Sequence, residues 1–349
     1  MHDADILAAR PPKQSLDPWR PYAHLVEPER TASGRVEEVA TIFLTNQECP
    51  FRCTMCDLWK YTLDERVPVG AIPAQIDHAL AQSPGAKHIK LYNAGNFFDA
   101  QAIPPEDHAA IAARVCHFET IIVENHPRLT DDRCVTFRDL LTSSFNRVGN
   151  APRVERRERL VRDTTRGALP TRLNDGPRLE IALGLETVHA DILLRLNKRM
   201  TVADFDRAAA FLRGHDIDVR AFILLRPPGL NERDGIEWCV KSLAHTFDVG
   251  ASVCSVIPTR AGNGIMDRMA ESGDFSRPTI RSMEEVLERG IELSRAGDTT
   301  RRVFIDLWDA EKFCDCVQCG PARIARLQRM NLSQQIEPGV ECDCANEAK

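Results

Sequence analysis

Apolar and polar positions along this chain follow two alternating periods. Short apolar or β-branched runs recur at 39–46 (VATIFLTN), 87–93 (KHIKLYN), 120–124 (TIIVE), 179–187 (LEIALGLET), 219–225 (VRAFILL) and 251–257 (ASVCSVI). Between them, helical spacing of apolar residues predicts helices over 72–82, 106–115, 202–213, 232–244 and 283–294. Strands separated by helices read as βα units on a parallel sheet, because a parallel crossover needs a dozen or more residues. Six repeats predict an α/β fold, a (β/α)6 partial TIM barrel, with its chemistry at the carboxyl ends of the strands. The expected organisation is an N-terminal arm over 1–38, a barrel core over 39–297 and a cysteine-rich, metal-binding C-terminal extension over 298–349. Within the core, 147–178 interrupts the pattern with nine arginines and four acids. That segment reads either as a solvated charged loop or as a surface for phosphate, whose oxygens match the guanidinium fork.

Composition narrows the class. A net charge of −6 argues against a protein coated with basic surface for nucleic acid, though not against a local patch. The N-terminal sequence is acidic and proline-rich without an apolar signal region, and no run approaches 18 apolar residues. A cytoplasmic protein with no membrane partner is the expectation. In that compartment disulfides are rare, so 12 cysteines point to metal.

The cysteines cluster in two places. Cys49, Cys53 and Cys56 stand in a C-x3-C-x2-C loop directly after the first strand. Three thiolates bind three irons of a [4Fe–4S] cubane and leave the fourth iron open, whereas ordinary ferredoxin sites use four cysteines. An open iron can chelate the amino and carboxylate groups of S-adenosylmethionine (SAM). A tetrahedral zinc site is the rival reading, but it wants four ligands. In the tail, Cys316 and Cys319 with Cys342 and Cys344 form two close pairs that suit a tetrahedral Zn²⁺, with a second iron–sulfur cluster or free thiols as alternatives.

The motif, its position and the βα pattern resemble the radical SAM superfamily in its methylthiotransferase and elongator-like branch. Within it the chain looks most like the archaeosine-synthase radical SAM subunit family. The segments that carry the likeness are YNAGNFFD (92–99), VENHP (123–127), IALGLET (181–187), LNKRMTVADFDRAAAF (196–211) and the cysteine-rich tail. The resemblance implies reductive cleavage of SAM to a 5′-deoxyadenosyl radical, with an electron donor such as flavodoxin or ferredoxin. It places Asn93, Gly95 and Asn96 at the methionine end of SAM, and the strand-end carboxylates Glu124 and Glu186 at a ribose hydroxyl or the ammonium. Asn197, Lys198 and Arg226 would then face the SAM carboxylate. Each of these also has a plainer reading as a turn residue or a solvated charge, and His126 reads as a structural histidine. No residue is singled out as catalytic beyond these.

The family's substrate would be a 7-deazaguanine base in tRNA carrying an amino-acid side chain. The radical would break a carbon–carbon bond there to leave an amidine, a partner enzyme having installed the amino acid. This chain has Asn93-Ala-Gly-Asn96 and Glu124-Asn-His-Pro-Arg128 where that family has Ser-Gly-Ser and Glu-Ser-Arg-Pro-Glu segments. Radical modification of a small metabolite or peptide is therefore the alternative, and a non-enzymatic iron–sulfur carrier a further one.

Overall fold

The structure is a computed structural model that describes residues 2–82, 85–149, 176–296 and 300–345. Most of the arginine-rich segment, residues 150–175, lies outside the described residues. After a short helix α1 (Asp3–Ala9), eight strands form one sheet in the order of the chain: β1 (Ala23–Arg30), β2 (Val36–Phe43), β3 (His88–Tyr92), β4 (Thr120–Asn125), β5 (Arg178–Glu186), β6 (Asp218–Leu225), β7 (Val253–Pro258) and β8 (Arg302–Ile305). β1 and β2 pair antiparallel; every later neighbour pair is parallel. Helices α2 (Ala71–Leu80), α3 (His108–Val115), α4 (Asp132–Gly149), α5 (Ala190–Arg195), α6 (Val202–Gly214), α7 (Glu232–Asp248), α8 (Ile265–Glu271), α9 (Ile280–Arg295) and α10 (Gly320–Ser333) fill the crossovers and the tail. Among the described residues, no helix is long and apolar enough to cross a membrane.

The expected partial barrel is present and is larger than the six-strand reading. β1 and β8 fall in segments read as arm and extension. Both are weak signals: β1 (AHLVEPER) holds Pro28 and three charged residues, tolerable only on an edge strand, and β8 is four residues long.

Local chemistry starts the helices where the side chains dictate. The Thr201 hydroxyl accepts from the Asp204 N–H while Asp204 reaches back to the Thr201 N–H, a reciprocal cap for α6. Asn231 caps α7 and Thr279 caps α9 by accepting from the third residue on. The helices bury one parity of the strands. Ile89, Leu91, Ile121, Val123, Ile181, Leu183 and Val219 join one apolar core with α2, α3, α4 and α6. Ile223, Leu225, Cys254, Val256, Val303 and Ile305 join a second with α7, α9 and α10. Gly290 on α9 lies so close to β8 that a Cβ there would stand 2.9 Å from Val303.

The other parity turns to the concave face; towards the carboxyl ends α5 reaches it, Ile192 packing with Leu224 of β6 and Ile257 of β7. At the amino ends of the strands this face is filled with ions. Arg220 donates to Glu180 at 2.6 Å and to Glu29 at 2.7 Å, and Lys90 reaches Glu29 at 2.5 Å. Burial alone would raise the Glu29 carboxyl, but Arg220 and Lys90 hold it well below the usual carboxylate range. Arg302 of β8 donates to the Arg30 carbonyl of β1 at 3.3 Å, so the curl brings the two edge strands within reach of one arginine side chain. The floor is thus plugged, and the open end of the barrel is the mouth at the carboxyl ends. Because both partners are buried, Glu180→Ala leaves Arg220 with Glu29 alone and should cost up to about 3 kcal/mol. Urea denaturation checks this; an unchanged midpoint would show that the floor ions contribute nothing net.

Candidate cluster and cofactor site at the barrel mouth

The chain leaves β2 at Phe43 and runs into the three-cysteine loop across the mouth. The loop is held by its backbone. The Thr54 N–H donates to the Leu196 carbonyl at 2.9 Å. Asn197 Nδ2 donates to the Arg52 carbonyl at 2.7 Å, and Asn263 Nδ2 donates to the carbonyls of Thr54 and Cys56 at 2.8 and 3.0 Å. Asn263 Oδ1 accepts from the Met266 N–H at 2.8 Å, which ties the loop to α8. Phe51 stacks on His126 with ring centroids 3.9 Å apart. His126 Nε2–H donates to the Lys198 carbonyl at 3.0 Å, Nδ1 accepts from the Arg128 N–H, and burial lowers its pKa to about 3. It is a neutral structural ring.

Burial pushes up the thiols of Cys49, Cys53 and Cys56, Cys53 to about 12. A metal centre here must therefore displace protons as it binds. Asn96 Nδ2 donates to Cys49 Sγ at 3.2 Å, so the loop after β3 already addresses one ligand sulfur.

Around these cysteines the mouth carries several of the residues named from sequence. Asn93 is fully buried at the end of β3, and its side-chain Nδ2 and Oδ1 have no hydrogen-bond partner among the described residues. A buried orphan amide is costly unless something polar meets it, and this is the feature that fits a bound cofactor. Gly95 is less constrained than expected: a Cβ there would meet Asn46 and Asn93 only at ordinary contact, 3.5 Å. Glu124 ends β4 and accepts from the Asn93 N–H at 3.2 Å; burial outweighs that bond and raises its carboxyl to about 7. Glu186 sits past a break in the β5–β6 register with φ 65 and pairs with Lys198. Burial would lower Lys198, but Glu186 and the cysteine sulfurs raise it well above its ordinary value. The pair fits because residue 184 is glycine. A Cβ there would lie 2.2 Å from Lys198 Nζ and 2.4 Å from Glu186 Oε1.

Two residues expected at the cofactor are engaged elsewhere. Asn197 buttresses the loop through Arg52 and also donates to Asp3 at 2.8 Å. Arg226 pairs with Glu232 on α7 and donates to the Arg277 carbonyl at 2.7 Å. Asn263 and Gly184 were not singled out from the sequence. Gly262-Asn263-Gly264 after a strand reads as an ordinary turn, and the crowding at Gly184 arises only when β5 and the loop after α5 meet.

In the tail, the sulfurs of Cys316, Cys319, Cys342 and Cys344 all lie within 4.8 Å of one another and can hold a metal ion. Cys316 and Cys342 are 3.9 Å apart, and Cys319 and Cys344 3.6 Å. Arg323 Nε donates to Cys319 Sγ and an Arg281 N–H to Cys344 Sγ, each at 3.3 Å. Backbone N–H groups of Cys319 and Gln318 lower the Cys316 thiol to about 7, which readies a thiolate near neutral pH. Cys314 stands apart, its thiol facing the Ala310 carbonyl. Glu37, His88 and Glu119 also converge, but Lys87 and Thr31 already hold the Glu37 carboxylate, each at 2.9 Å.

Glu124 links the mouth to pH. Its folded pKa of about 7 lies above the ordinary 4.5, so the folded state binds the proton more tightly. The stability it contributes is full below pH 4.5 and is lost as pH rises through about 7. Glu124→Gln should melt like the parent at pH 5 and be the more stable at pH 8, by up to ~3 kcal/mol. Parallel melting profiles from pH 5 to 8 would contradict this.

No family model matches the chain. In sequence it is 20% identical over 354 residues to the uncharacterized protein MJ0550 of Methanocaldococcus jannaschii, covering 95% of this chain and 86% of that protein. It is 25% identical over 245 residues to archaeosine synthase subunit beta of Methanosarcina acetivorans, covering 68% of this chain and 61% of the subunit. The chain therefore matches about three fifths of that subunit's length. Among solved structures, archaeal Elp3 of Methanocaldococcus infernus is similar with a TM-score of 0.49 and 14% identity, covering 84% of this chain and 63% of that one. Taken with the three-cysteine loop and the strand-end polar groups at the mouth of a partial barrel, the sequence relatives support assigning this chain to the radical SAM superfamily.

Proposed function

We propose that the chain is a radical SAM enzyme whose Cys49, Cys53 and Cys56 hold a [4Fe–4S] cluster. The observation that carries this is the placement of three free thiols, near enough to raise one another's pKa, with the unpartnered Asn93 amide and the Lys198–Glu186 pair at one end of the barrel. When bound, the cluster supplies an electron that splits SAM into methionine and a 5′-deoxyadenosyl radical. The protein's own part is binding and orientation. Asn93 offers a donor and an acceptor to the amino-acid end of SAM. Lys198, kept cationic by Glu186, neutralises a carboxylate. Glu124, near neutral pKa, holds or releases a proton at its Oε atoms. The Asn96 amide steadies Cys49 Sγ.

Archaeosine synthase subunit beta is the relative whose name suggests a substrate, so a 7-deazaguanine base in tRNA is the substrate we infer. The word subunit in that name supports a partner enzyme, and the arginines of 147–178 supply the phosphate-binding groups. A small metabolite or a peptide is the competing substrate class, favoured by the net charge of −6. A one-electron carrier such as flavodoxin or ferredoxin would serve as reductant. For the tail we infer one tetrahedral Zn²⁺. A metal–sulfur bond of about 2.3 Å makes tetrahedral edges of about 3.8 Å, close to the 3.6 and 3.9 Å separations present. A cubane, whose thiolates radiate from four different irons, needs a wider set.

Reconstituted anaerobically with iron and sulfide, then given dithionite and SAM, the protein should release 5′-deoxyadenosine, measured by mass spectrometry. Cys53→Ala should abolish release; unchanged turnover would sink the assignment. If tRNA is the substrate, it binds with a steep inverse dependence on salt, whereas a metabolite enzyme binds tRNA weakly at any salt. Cys319→Ala should lose zinc by elemental analysis while the visible spectrum of the mouth cluster stays intact. Equal loss of both metals would refute an independent tail site.

A further inference from the structure

The N-terminal segment, expected as an arm, sends several of its side chains to one place. Ile6 of α1 packs with Ile265, Met266 and Phe275 in a small apolar cluster of its own, which docks the helix on α8. The fit is close: a Cβ on Gly264 would stand 1.9 Å from the Ala9 carbonyl oxygen. From that dock the segment reaches both flanks of the cysteine loop. On one flank, Asp3 pairs with Arg199 and accepts from Asn197 Nδ2 at 2.8 Å, and the same Nδ2 donates to the Arg52 carbonyl between Cys49 and Cys53. On the other, Arg10 at 2.7 Å and Lys13 at 2.6 Å converge on Glu48, the residue before Cys49. Glu48 also pairs with Arg52 at 3.1 Å, and Arg52 donates to the Cys49 carbonyl. Beyond Cys56, Arg10 lies over the buried Trp59 ring at 4.4 Å, Gln14 N–H donates to the Lys60 carbonyl at 2.9 Å, and Tyr22 stacks on Tyr61 at 5.0 Å.

We propose that residues 3–22 are a clamp on the cluster loop, and that Asp3, through Asn197, and Arg10 with Lys13, through Glu48, are positioning residues for Cys49, Cys53 and Cys56. The physical case is preorganisation. A loop of eight residues carrying three metal ligands has many conformations, and each thiol must reach its iron at a set distance. Fixing the carbonyl of Arg52 from one side and the carboxylate of Glu48 from the other removes most of that freedom before metal arrives. The contacts are also far apart in the chain, 194 residues between Asp3 and Asn197 and 38 between Arg10 and Glu48. They therefore exist only in the folded barrel, and the loop is ordered only when the barrel is.

The inference rests on the cysteines being cluster ligands. The test uses the full chain, reconstituted with iron and sulfide, and compares the parent with an Asp3→Ala/Arg10→Ala double variant. An Ile6→Asp variant lifts α1 while leaving every residue of both ion pairs in the sequence. Three quantities are read: the rate of iron transfer to a ferrous chelator, the width of the reduced-cluster EPR lines, and the melting temperature of the barrel. The clamp predicts iron loss faster by about tenfold in both variants, the size of effect seen when groups that orient metal ligands are removed. It also predicts broadened EPR lines and a melting temperature close to the parent's. Equal iron loss in parent and variants overturns it. So does faster loss matched by an equal fall in barrel melting, since that is a purely structural role. A parent that takes up no cluster at all overturns the cluster reading instead.

Discussion

A curled sheet has a concave face turned away from most of its helices, and what fills that face decides where this protein can do chemistry. Here the amino end is filled by Arg220 between Glu29 and Glu180, with Lys90 and Arg302 beside them. Bringing five charged groups out of water is costly, and it is offset only because each has an opposite charge at hydrogen-bond distance or close to it. The arrangement draws on β1, β3, β5, β6 and β8, so it can form only once the sheet has curled. It holds the curl and closes one end, and the other end is left as the site.

At that open end the backbone is held in unusual conformations. Ala94, Glu186, Asn197, Arg199 and Arg226 are non-glycine residues with positive φ, and all lie in the segments around the mouth. Such residues persist only where their surroundings over-determine them. For Glu186 the surroundings are Lys198 and the missing side chain of Gly184; for Asn197 they are Asp3 and the Arg52 carbonyl. The Lys198–Glu186 pair places a fixed charge beside the cysteine loop in a dry setting, where a charge acts more strongly than in water.

The two ends of the chain serve the barrel in different ways. The N-terminal segment lies against the cysteine loop and adds no cysteine of its own. The tail gathers four thiols and ties them to α9 through Arg323 and Glu284, and through Arg326, which donates to the Pro338 carbonyl at 2.8 Å and pairs with Glu288 at 2.6 Å. The tail's arginines thus satisfy backbone carbonyls that would otherwise be left unpaired near the surface of α9 and α10.

The sequence by itself determined the local half of this protein. Apolar runs of period two and helical spacing between them are short-range signals, and they marked six strands and five of the helices, though not α4, whose Cys134, Phe137 and Leu141 join the core. Cysteine spacing is equally local: it marked the C-x3-C-x2-C loop and the two close pairs of the tail, while folding brings those two pairs together. Strand ends, also a local signal, placed Glu124 and Glu186 at the mouth. Only the tertiary structure decided the rest. β1 and β8 carry weak signals of their own and become strands because the sheet offers them edges. Asn197 and Arg226 look like ligand-binding polar residues in sequence, yet Asp3, Arg52 and Glu232, brought close by folding, engage them first. Asn263 and Gly184 matter for a carbonyl or an ion pair supplied by distant segments. A side chain's type and neighbours in the chain state what it can bond; which partner it meets depends on the path of the whole backbone.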